Sequence, residues 1–198
     1  MCVNMVLENQ VEEARKIIEK EGTVIFPTET AYGIAADATN NDAVEKVYKM
    51  KQRPRSKGLT TIVYSLKQAE KYAELSEEEK KVAEELMPGP LTVVAEKKGN
   101  IPDNLNEHFA FRISSTETAR KLAENTPITA TSANISGKET SYSVENISPE
   151  LREKADYIID HGELDNGPTS TILELNNGIT VHREGPIKRE EIQKIIQG

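Results

Sequence analysis

The sequence predicts an α/β protein that folds as one domain over residues 1–198. Amphipathic helical segments alternate with short β-branched runs, which is the pattern of a sheet covered by helices. No repeat, low-complexity tract or linker divides the chain. Hydroxyl and cationic side chains follow the first predicted strand, and open α/β sheets bind ligands at such strand ends. We therefore expect one hydrophobic core with a ligand site beside it.

In the first half of the chain, apolar periodicity and helix-stop residues define the elements. Helix 9–21 stops at Gly22, and strand 23–26 stops at Pro27, which cannot continue a ladder of hydrogen bonds. The remaining elements of this half are helix 42–50, strand 59–64, two helices capped by Ser65 with Gln68 and by Ser76 with Glu79, and strand 91–95.

The second half begins with strand 110–113, which leads into a helix capped by Ser114 and Glu117. Segment 126–137 is hydroxyl-rich and nearly uncharged, so its polar groups need backbone or ligand partners. The chain then continues with a surface loop 137–147, a helix from Ser148-Pro149 to residue 154 or 155, strands 157–160, 170–175 and 179–183, and helix 188–196. The last two strands are predicted to form a hairpin.

Charge and cysteine content exclude several classes of protein. A net charge of -8 disfavours binding of nucleic acid by the surface at large, so any anion site must be a local pocket. The single cysteine, Cys2, excludes a disulfide framework and a multi-cysteine metal site. The sequence contains neither a membrane span nor the apolar core of a signal peptide. We therefore expect a soluble, cytoplasmic protein with no membrane contact.

The common catalytic motifs are missing. The sequence has no GxxxxGK[ST] phosphate loop, no GxGxxG fingerprint and no GxSxG elbow. Its histidines, His108, His161 and His182, lack the spacing of a zinc site, and a surface or satisfied role is favoured for each. Cys2, next to the initiator methionine, is a poor candidate nucleophile. The sequence thus predicts no protein-bound metal and gives little support to covalent catalysis.

What remains is a set of cations with hydroxyl and amide side chains. The basic run from Lys51 to Lys57 either wraps a polyanion or is a solvated loop after a helix, and composition leaves both open. Arg112 lies in an apolar strand, where a charged side chain is often paired or faces a ligand. Ser132 and Asn134 either bind a ligand or hold a tight turn. The full set is Lys51, Arg53, Lys57, Arg112, Arg183, Thr28, Thr30, Ser132, Asn134, Ser170 and Thr171. Residue chemistry alone predicts an anion-binding α/β domain.

Several segments together resemble one known family. FPTETAYGIAADA, KMKQRPRSKGL, MPGPLTVV, AFRIS, ITATSANISG, GPTSTIL and VHREG occur between residues 26 and 185 in the order of the YrdC/TsaC family, the L-threonylcarbamoyladenylate synthases of tRNA modification. The resemblance implies an open, twisted mixed sheet with helices packed around it and a concave, positively charged cavity. It also implies the single-domain form of the family, because the chain ends soon after VHREG.

The resemblance further implies a nucleotidyltransferase that makes threonylcarbamoyl-AMP and pyrophosphate from L-threonine, bicarbonate or carbon dioxide, and ATP. The product would pass to a complex that modifies adenosine 37 of tRNAs reading ANN codons, and a weak contact with tRNA is left open. Mg²⁺ would arrive with ATP, because the sequence shows no carboxylate cluster to hold it. Positioning and charge neutralisation dominate such a phosphorus-centred substitution, which suits a site of cations and hydroxyls.

The resemblance also assigns residues. The ATP phosphates would contact Lys51, Arg53, Lys57, Ser132, Asn134, Ser170, Thr171 and Arg183, with Lys51 and Arg53 as the catalytic pair. The threonine and carbamate pocket would be bordered by Thr28, Thr30, Tyr32 and Arg112. Glu29 either orients the threonine ammonium or is satisfied by nearby donors. Lys57-Gly58 stands where some relatives have His-Pro, so phosphate contacts there differ in detail.

Two other functions compete with synthesis. A concave basic face also suits an RNA-binding module, although the net charge of -8 and the few aromatic residues disfavour it. Carbamoyl transfer, as in the YrdC-like module of hydrogenase maturation factors, ranks lower. Those longer proteins have zinc-finger-like and acylphosphatase-like domains that this sequence lacks.

Overall fold

The computed structural model describes residues 2–198, with side chains from residue 7 onward. The interpretation of Cys2 concerns a side chain outside that range. The helices are α1 Cys2–Glu19, α2 Asn41–Lys51, α3 Leu66–Ala69, α4 Glu77–Leu86, α5 Glu117–Leu122, α6 Pro149–Lys154 and α7 Arg189–Gln197. The strands are β1 Val24–Pro27, β2 Tyr32–Ala35, β3 Thr61–Ile62, β4 Ala73–Glu74, β5 Leu91–Lys97, β6 Phe109–Arg112, β7 Ile128–Thr129, β8 Thr131–Ser132, β9 Tyr157–Ile158, β10 Thr171–Glu174 and β11 Thr180–Arg183.

The strands form two mixed sheets, which confirms the α/β class and refines the predicted single sheet. The smaller sheet has the order β8-β2-β1-β9, with β1 antiparallel to β2 and parallel to β9. The larger sheet has the order β11-β10-β5-β6-β3-β7, and β4 pairs with β5 beside that path. The predicted hairpin is confirmed, because β10 and β11 are adjacent and antiparallel.

The alternating side chains of β1 separate two hydrophobic clusters. Val24 and Phe26 pack with α1 and α5, where Ile18 and Leu122 are also buried. Ile25 points the other way, into a larger cluster that includes residues of both sheets. Because successive side chains of a strand face opposite sides, the smaller sheet lies between these clusters. This packing fixes β1 and the turn that follows it.

Helix starts agree with the sequence at some positions and differ at others, and α1 begins at Cys2 rather than at residue 9. Ser76 begins α4 with a full capping box, since its Oγ accepts from the Glu79 amide and its own amide donates to Glu79 Oε2 at 2.8 Å. The predicted cap at Ser114 is wrong, because α5 begins after Thr116. The Ser114 hydroxyl donates instead to Glu29, a buried carboxylate that competes successfully for it.

Among residues 2–198, no helix combines the length and apolar character needed to cross a membrane.

Candidate active site

A cavity of about 530 Å³ is lined by residues of both sheets. Strands β2 and β8 of the smaller sheet contribute one wall, and β5, β6, β10 and β11 of the larger sheet contribute another. Segment 56–60, which follows α2, lines a third side. A cavity of this size lies within the usual range for small-molecule sites.

Most predicted site residues line this cavity. They are Thr28, Thr30, Tyr32, Arg53, Lys57, Arg112, Ser132, Ser170 and Arg183. The other predicted residues, Lys51, Asn134 and Thr171, are not part of the lining. The fold thus gathers segments that are far apart in sequence, and it excludes three side chains whose polar groups are engaged elsewhere.

Arg53 and Arg183 present guanidinium groups that have no carboxylate partner among the described residues. Arg53 donates to the carbonyl oxygens of Gly58 and Lys57, at 3.0 and 2.6 Å. Arg183 donates to the carbonyl oxygen of Ser170 at 2.9 Å and to its hydroxyl at 3.0 Å. Burial lowers the pKa of both guanidinium groups. Because the charge of both cations is unmatched, an anionic ligand would be attracted to this part of the cavity.

A β-bulge explains why the neighbours His182 and Arg183 both line the cavity. In a regular strand, successive side chains face opposite sides. The register between β10 and β11 shifts between Ile172 and Leu173, which leaves an extra residue on β11 and turns both side chains to one face. His182 Nε2 lies 2.6 Å from Glu174 Oε2, so this wall also contains an imidazole and carboxylate pair.

Arg112 differs from the other arginines because its charge is matched. Its Nη1 lies 2.8 Å from Glu29 Oε1, and the two side chains are only 10% and 15% exposed. The Ser114 hydroxyl donates to the other carboxylate oxygen of Glu29. Burial lowers the pKa of Arg112, and the nearby Glu29 opposes that effect. Glu29 Oε1 is buried and has no hydrogen-bond partner among the described residues, so both interpretations of Glu29 stay predictions.

A tight turn between β1 and β2 places Glu29. The Thr28 hydroxyl oxygen accepts hydrogen bonds from the amides of Thr30 and Ala31, each at 3.2 Å. The Thr28 amide donates to the Ala31 carbonyl at 3.0 Å, which closes the turn. Small hydroxyl residues are favoured in such turns because they replace backbone partners. The predicted polar loop is therefore the connection of a hairpin, and Thr28 and Thr30 border the cavity from it.

The predicted basic run after α2 divides between different environments. Of the cations in this run, Arg53 and Lys57 line the cavity, and the others do not. Arg55 pairs with Glu45, and its guanidinium lies 4.6 Å from the centre of the Tyr48 ring. The chain leaves the helix at Gln52, which is left-handed with φ of 49°, two residues before Pro54. The run is therefore neither a wholly solvated loop nor a uniform phosphate cradle.

Lys51 is buried and is not part of the cavity lining. Its side chain is 1% exposed, and Nζ donates to the carbonyl oxygen of Ser132 and to both oxygens of Asn134, at 2.7 and 3.3 Å. Burial, with a smaller contribution from Arg53, lowers the pKa of Lys51 to about 7. The predicted phosphate contacts of Lys51 and Asn134 are not supported by this placement, because their polar groups bind one another.

The hydroxyls of Thr171 and Tyr32 also have protein partners. Thr171 Oγ1 donates to the carbonyl oxygen of Ile187 at 2.8 Å. The Tyr32 hydroxyl donates to the carbonyl oxygen of Gly162 at 2.8 Å and accepts from the His161 amide at 2.9 Å. These hydroxyls hold neighbouring loops in place, and the predicted ligand contact of Thr171 is not supported by its position.

Sequence analysis missed several lining residues. They include Asn106, His108, Thr131, Glu174 and His182. The favoured surface or satisfied role does not describe His108 and His182 fully, since both line the cavity. Side chains two and four positions after Ser170 lie on the same face of the strand as Ser170. Alternation along this strand could therefore have identified Glu174. His182 required knowledge of the bulge, which leaves no pattern in one sequence.

Comparison with known proteins gives the family. The model for Sua5, YciO and YrdC proteins, described as telomere recombination, matches residues 16–185, a region that contains the whole cavity lining. A Methanocaldococcus jannaschii protein named as a candidate threonylcarbamoyl-AMP synthase is 37% identical, over 96% of this chain and 95% of that protein. The threonylcarbamoyl-AMP synthase of Pyrococcus abyssi is 36% identical, over 96% of this chain and 58% of that protein.

A solved structure has the same fold. The crystal structure of Pyrococcus abyssi Sua5 complexed with L-threonine matches with a TM-score of 0.88 and 35% identity. The match covers 94% of this chain and 57% of that chain. The chain therefore spans little more than half the length of the Pyrococcus protein, whereas it spans nearly all of the Methanocaldococcus protein.

Proposed function

The chain belongs to the Sua5/YciO/YrdC family, and on that premise we propose that it is an L-threonylcarbamoyladenylate synthase. The enzyme joins L-threonine, bicarbonate or carbon dioxide, and ATP to give threonylcarbamoyl-AMP and pyrophosphate, with one water also released when bicarbonate is the carbon source. The names of the relatives and the L-threonine bound to the Pyrococcus protein support this assignment. We propose adenylyl transfer, hence a nucleotidyltransferase, as the reaction class.

The observation that most supports this function is the contrast between the arginines of the cavity. Arg53 and Arg183 have no carboxylate partner among the described residues, whereas Arg112 is paired with Glu29. A triphosphate would supply the negative charge that the first two arginines lack. Before carboxylation L-threonine is a zwitterion that needs less charge compensation than a triphosphate, so we assign it to the side of the cavity where Arg112 is already paired with Glu29.

In the proposed reaction, a carbamate oxygen of N-carboxythreonine attacks the α-phosphorus of ATP. A new oxygen–phosphorus bond forms while the bond to the pyrophosphate oxygen breaks, and the electron pair leaves with pyrophosphate. Negative charge grows on the leaving group, where Arg53, Lys57 and Arg183 would stabilise it. Walls from both sheets would hold the carbamate in line and limit its contact with water.

Mg²⁺ fits this site through the nucleotide rather than through a protein cage. The carboxylate on the cavity wall, Glu174, is bonded to His182, and the described residues contain no group of three or more metal-binding side chains. Mg²⁺ readily binds through substrate phosphates and keeps several waters. When bound to ATP it would neutralise part of the triphosphate charge.

The product is an activated carbamoyl group, so a second enzyme must consume it by transfer to a nucleophile. We propose that this acceptor is adenosine 37 of tRNAs reading ANN codons, within a tRNA-modification complex in the cytoplasm. Direct tRNA contact by this chain, if any, would be weak because its net charge is -8.

Pyrophosphate release tests the proposal. Purified protein with ATP and Mg²⁺ should release pyrophosphate only when L-threonine and bicarbonate are both present. Pyrophosphate release that does not depend on threonine would overturn the proposal. A failure to release pyrophosphate under any combination of substrates would overturn it as well.

Two matched arginine variants test the phosphate assignment. Arg53→Ala should lower the rate of pyrophosphate release by about 100-fold, because it removes a cation from the developing charge. Arg55→Ala, two residues away and outside the cavity, should change the rate by less than about twofold. Equal effects of the two substitutions would contradict the assignment of Arg53.

A further inference from the structure

Lys51 and segment 132–136 are joined by hydrogen bonds in both directions. Lys51 is the last residue of α2, and its ammonium donates to Ser132 and Asn134 as described above. The Lys51 carbonyl oxygen in turn accepts from the Ser136 amide at 2.9 Å. The end of the helix and this segment are therefore held together by side-chain and backbone contacts.

The polar atoms of the Asn134 side chain all bond to other protein groups. Its Nδ2 donates to the carbonyl oxygens of Ile135 and Lys138, at 3.1 and 2.6 Å. Its Oδ1 accepts from Lys51 and from the Ser132 hydroxyl. Every polar atom of the Asn134 side chain thus has a partner in the protein, and the residue does not line the cavity.

These contacts also orient the dipoles of two backbone carbonyl groups. The carbonyl oxygens of Ser132 and Asn134 carry partial negative charge, and both point at an ammonium outside the cavity wall. Their orientation keeps negative charge off the surface that would receive phosphates. Ser132 itself lines the cavity from β8, where it pairs with Gly33 of β2.

We propose that the four polar residues divide into two pairs with different tasks. Lys51 and Asn134 form an inner clasp that holds segment 132–136 against the end of α2, while Arg53 and Ser132 form the outer pair that contacts nucleotide. Lys51 is then a positioning residue, which acts on the ligand through Ser132. This assignment rests on the proposed function for the identity of the ligand, and on geometry alone for the clasp.

Amide hydrogen exchange and ATP binding together test the division. Lys51→Met keeps a long unbranched side chain and removes the donor. It should speed exchange of the amides in segment 132–136 at least about tenfold, with exchange in β5 unchanged. It should also weaken ATP–Mg²⁺ binding, measured by calorimetry, by about tenfold or more. Arg53→Met should weaken binding to a similar extent while exchange stays at the wild-type rate.

Asn134→Ala provides an independent measurement if Lys51→Met fails to fold. It should raise exchange and weaken binding as Lys51→Met does. The double variant Lys51→Met/Asn134→Ala should bind ATP within about twofold of the weaker single variant, since both remove one clasp. The double variant Lys51→Met/Arg53→Met should instead show the product of the two single effects.

Weaker ATP binding with wild-type exchange in Lys51→Met or Asn134→Ala would overturn the proposal, because it would mean direct phosphate contact. The proposal would also be overturned if the effects of Lys51→Met and Asn134→Ala on ATP–Mg²⁺ binding were additive in the double variant. If the wild-type protein binds no ATP–Mg²⁺, the proposed function fails, and the exchange measurement still decides whether the clasp exists.

Discussion

Arginines of the same cavity differ in how their charge is balanced. Arg112 and Glu29 form a pair that is nearly buried, and the Ser114 hydroxyl donates to one oxygen of the carboxylate. Breaking such a pair is costly, because the remaining ion keeps its charge without a partner or full solvation. Arg53 and Arg183 rely on carbonyl and hydroxyl oxygens instead. Substitution of protein neighbours should therefore change the charge balance of Arg112, whereas binding of an anionic ligand should change the charge balance of Arg53 and Arg183.

This difference predicts the effect of removing one charge from the buried pair. Glu29→Gln keeps the shape of the side chain, but it should lower the free energy of unfolding by about 3 kcal/mol because Arg112 loses its counterion. Urea unfolding at neutral pH measures the change. Glu117→Gln breaks an exposed pair with Lys121 on α5, and it should cost less than about 0.5 kcal/mol. A loss for Glu29→Gln no larger than for Glu117→Gln would show that the buried pair adds little stability.

The helix starts show how local hydrogen bonding determines element boundaries. Ser76 and Ser148 both precede helices, at α4 and α6. The Ser76 hydroxyl accepts the Glu79 amide, whereas the Ser148 hydroxyl is buried and has no hydrogen-bond partner in the structure. A serine that precedes a helix therefore contributes a different amount to the free energy of unfolding at α4 and at α6.

Replacing each serine with alanine should separate these two cases. Ser76→Ala should lower the free energy of unfolding by about 1 kcal/mol, since it orphans an amide of the first turn. Ser148→Ala should leave it within about 0.5 kcal/mol, because no hydrogen bond is lost. Urea unfolding of both variants is the measurement. Similar losses in the two variants would mean that Ser148 caps α6 in solution.

Helices and the final hairpin were predictable because their causes are local. Amphipathic spacing located α2 and α7, a capping box located α4, and turn residues located β10 and β11. Strand β2 was missed because its short apolar run follows a polar turn, and its partner is chosen by tertiary packing. The cap at Ser114 failed because a buried carboxylate from another segment took its hydroxyl. Long-range competition of this kind is invisible to local patterns.

The same difference between local patterns and long-range packing explains what could be predicted of the candidate site. Most of the residues that motif order assigned to the site line the cavity, and the anion-binding character that composition predicted stays a prediction. The sequence could not predict that Lys51 and Asn134 bond to each other outside the cavity lining. Their placement depends on how the end of α2 meets segment 132–136. The two-sheet arrangement likewise depends on which strands pair across long sequence separations. A concave, positively charged surface over the whole cavity stays a prediction.

For the molecule as a whole, the buried ammonium of Lys51 links stability to pH. Its pKa is 10.5 in the unfolded chain and is lowered to about 7 in the folded protein, chiefly by burial. Between these values the unfolded chain holds a proton that the folded protein does not. The stability contributed by this group therefore rises as pH increases through that window, and it is constant at lower pH.

Lys51→Met removes this dependence, so the stability difference between wild type and variant should change with pH. Wild type should gain about 2 kcal/mol relative to Lys51→Met between pH 7 and pH 9, measured by urea unfolding at each pH. Lys49→Met is the control, because that lysine lies on the same helix with 76% of its side chain exposed. Its difference from wild type should stay constant over the same range. A constant difference for Lys51→Met as well would mean that the three oxygen acceptors hold the ammonium at its ordinary pKa despite its burial.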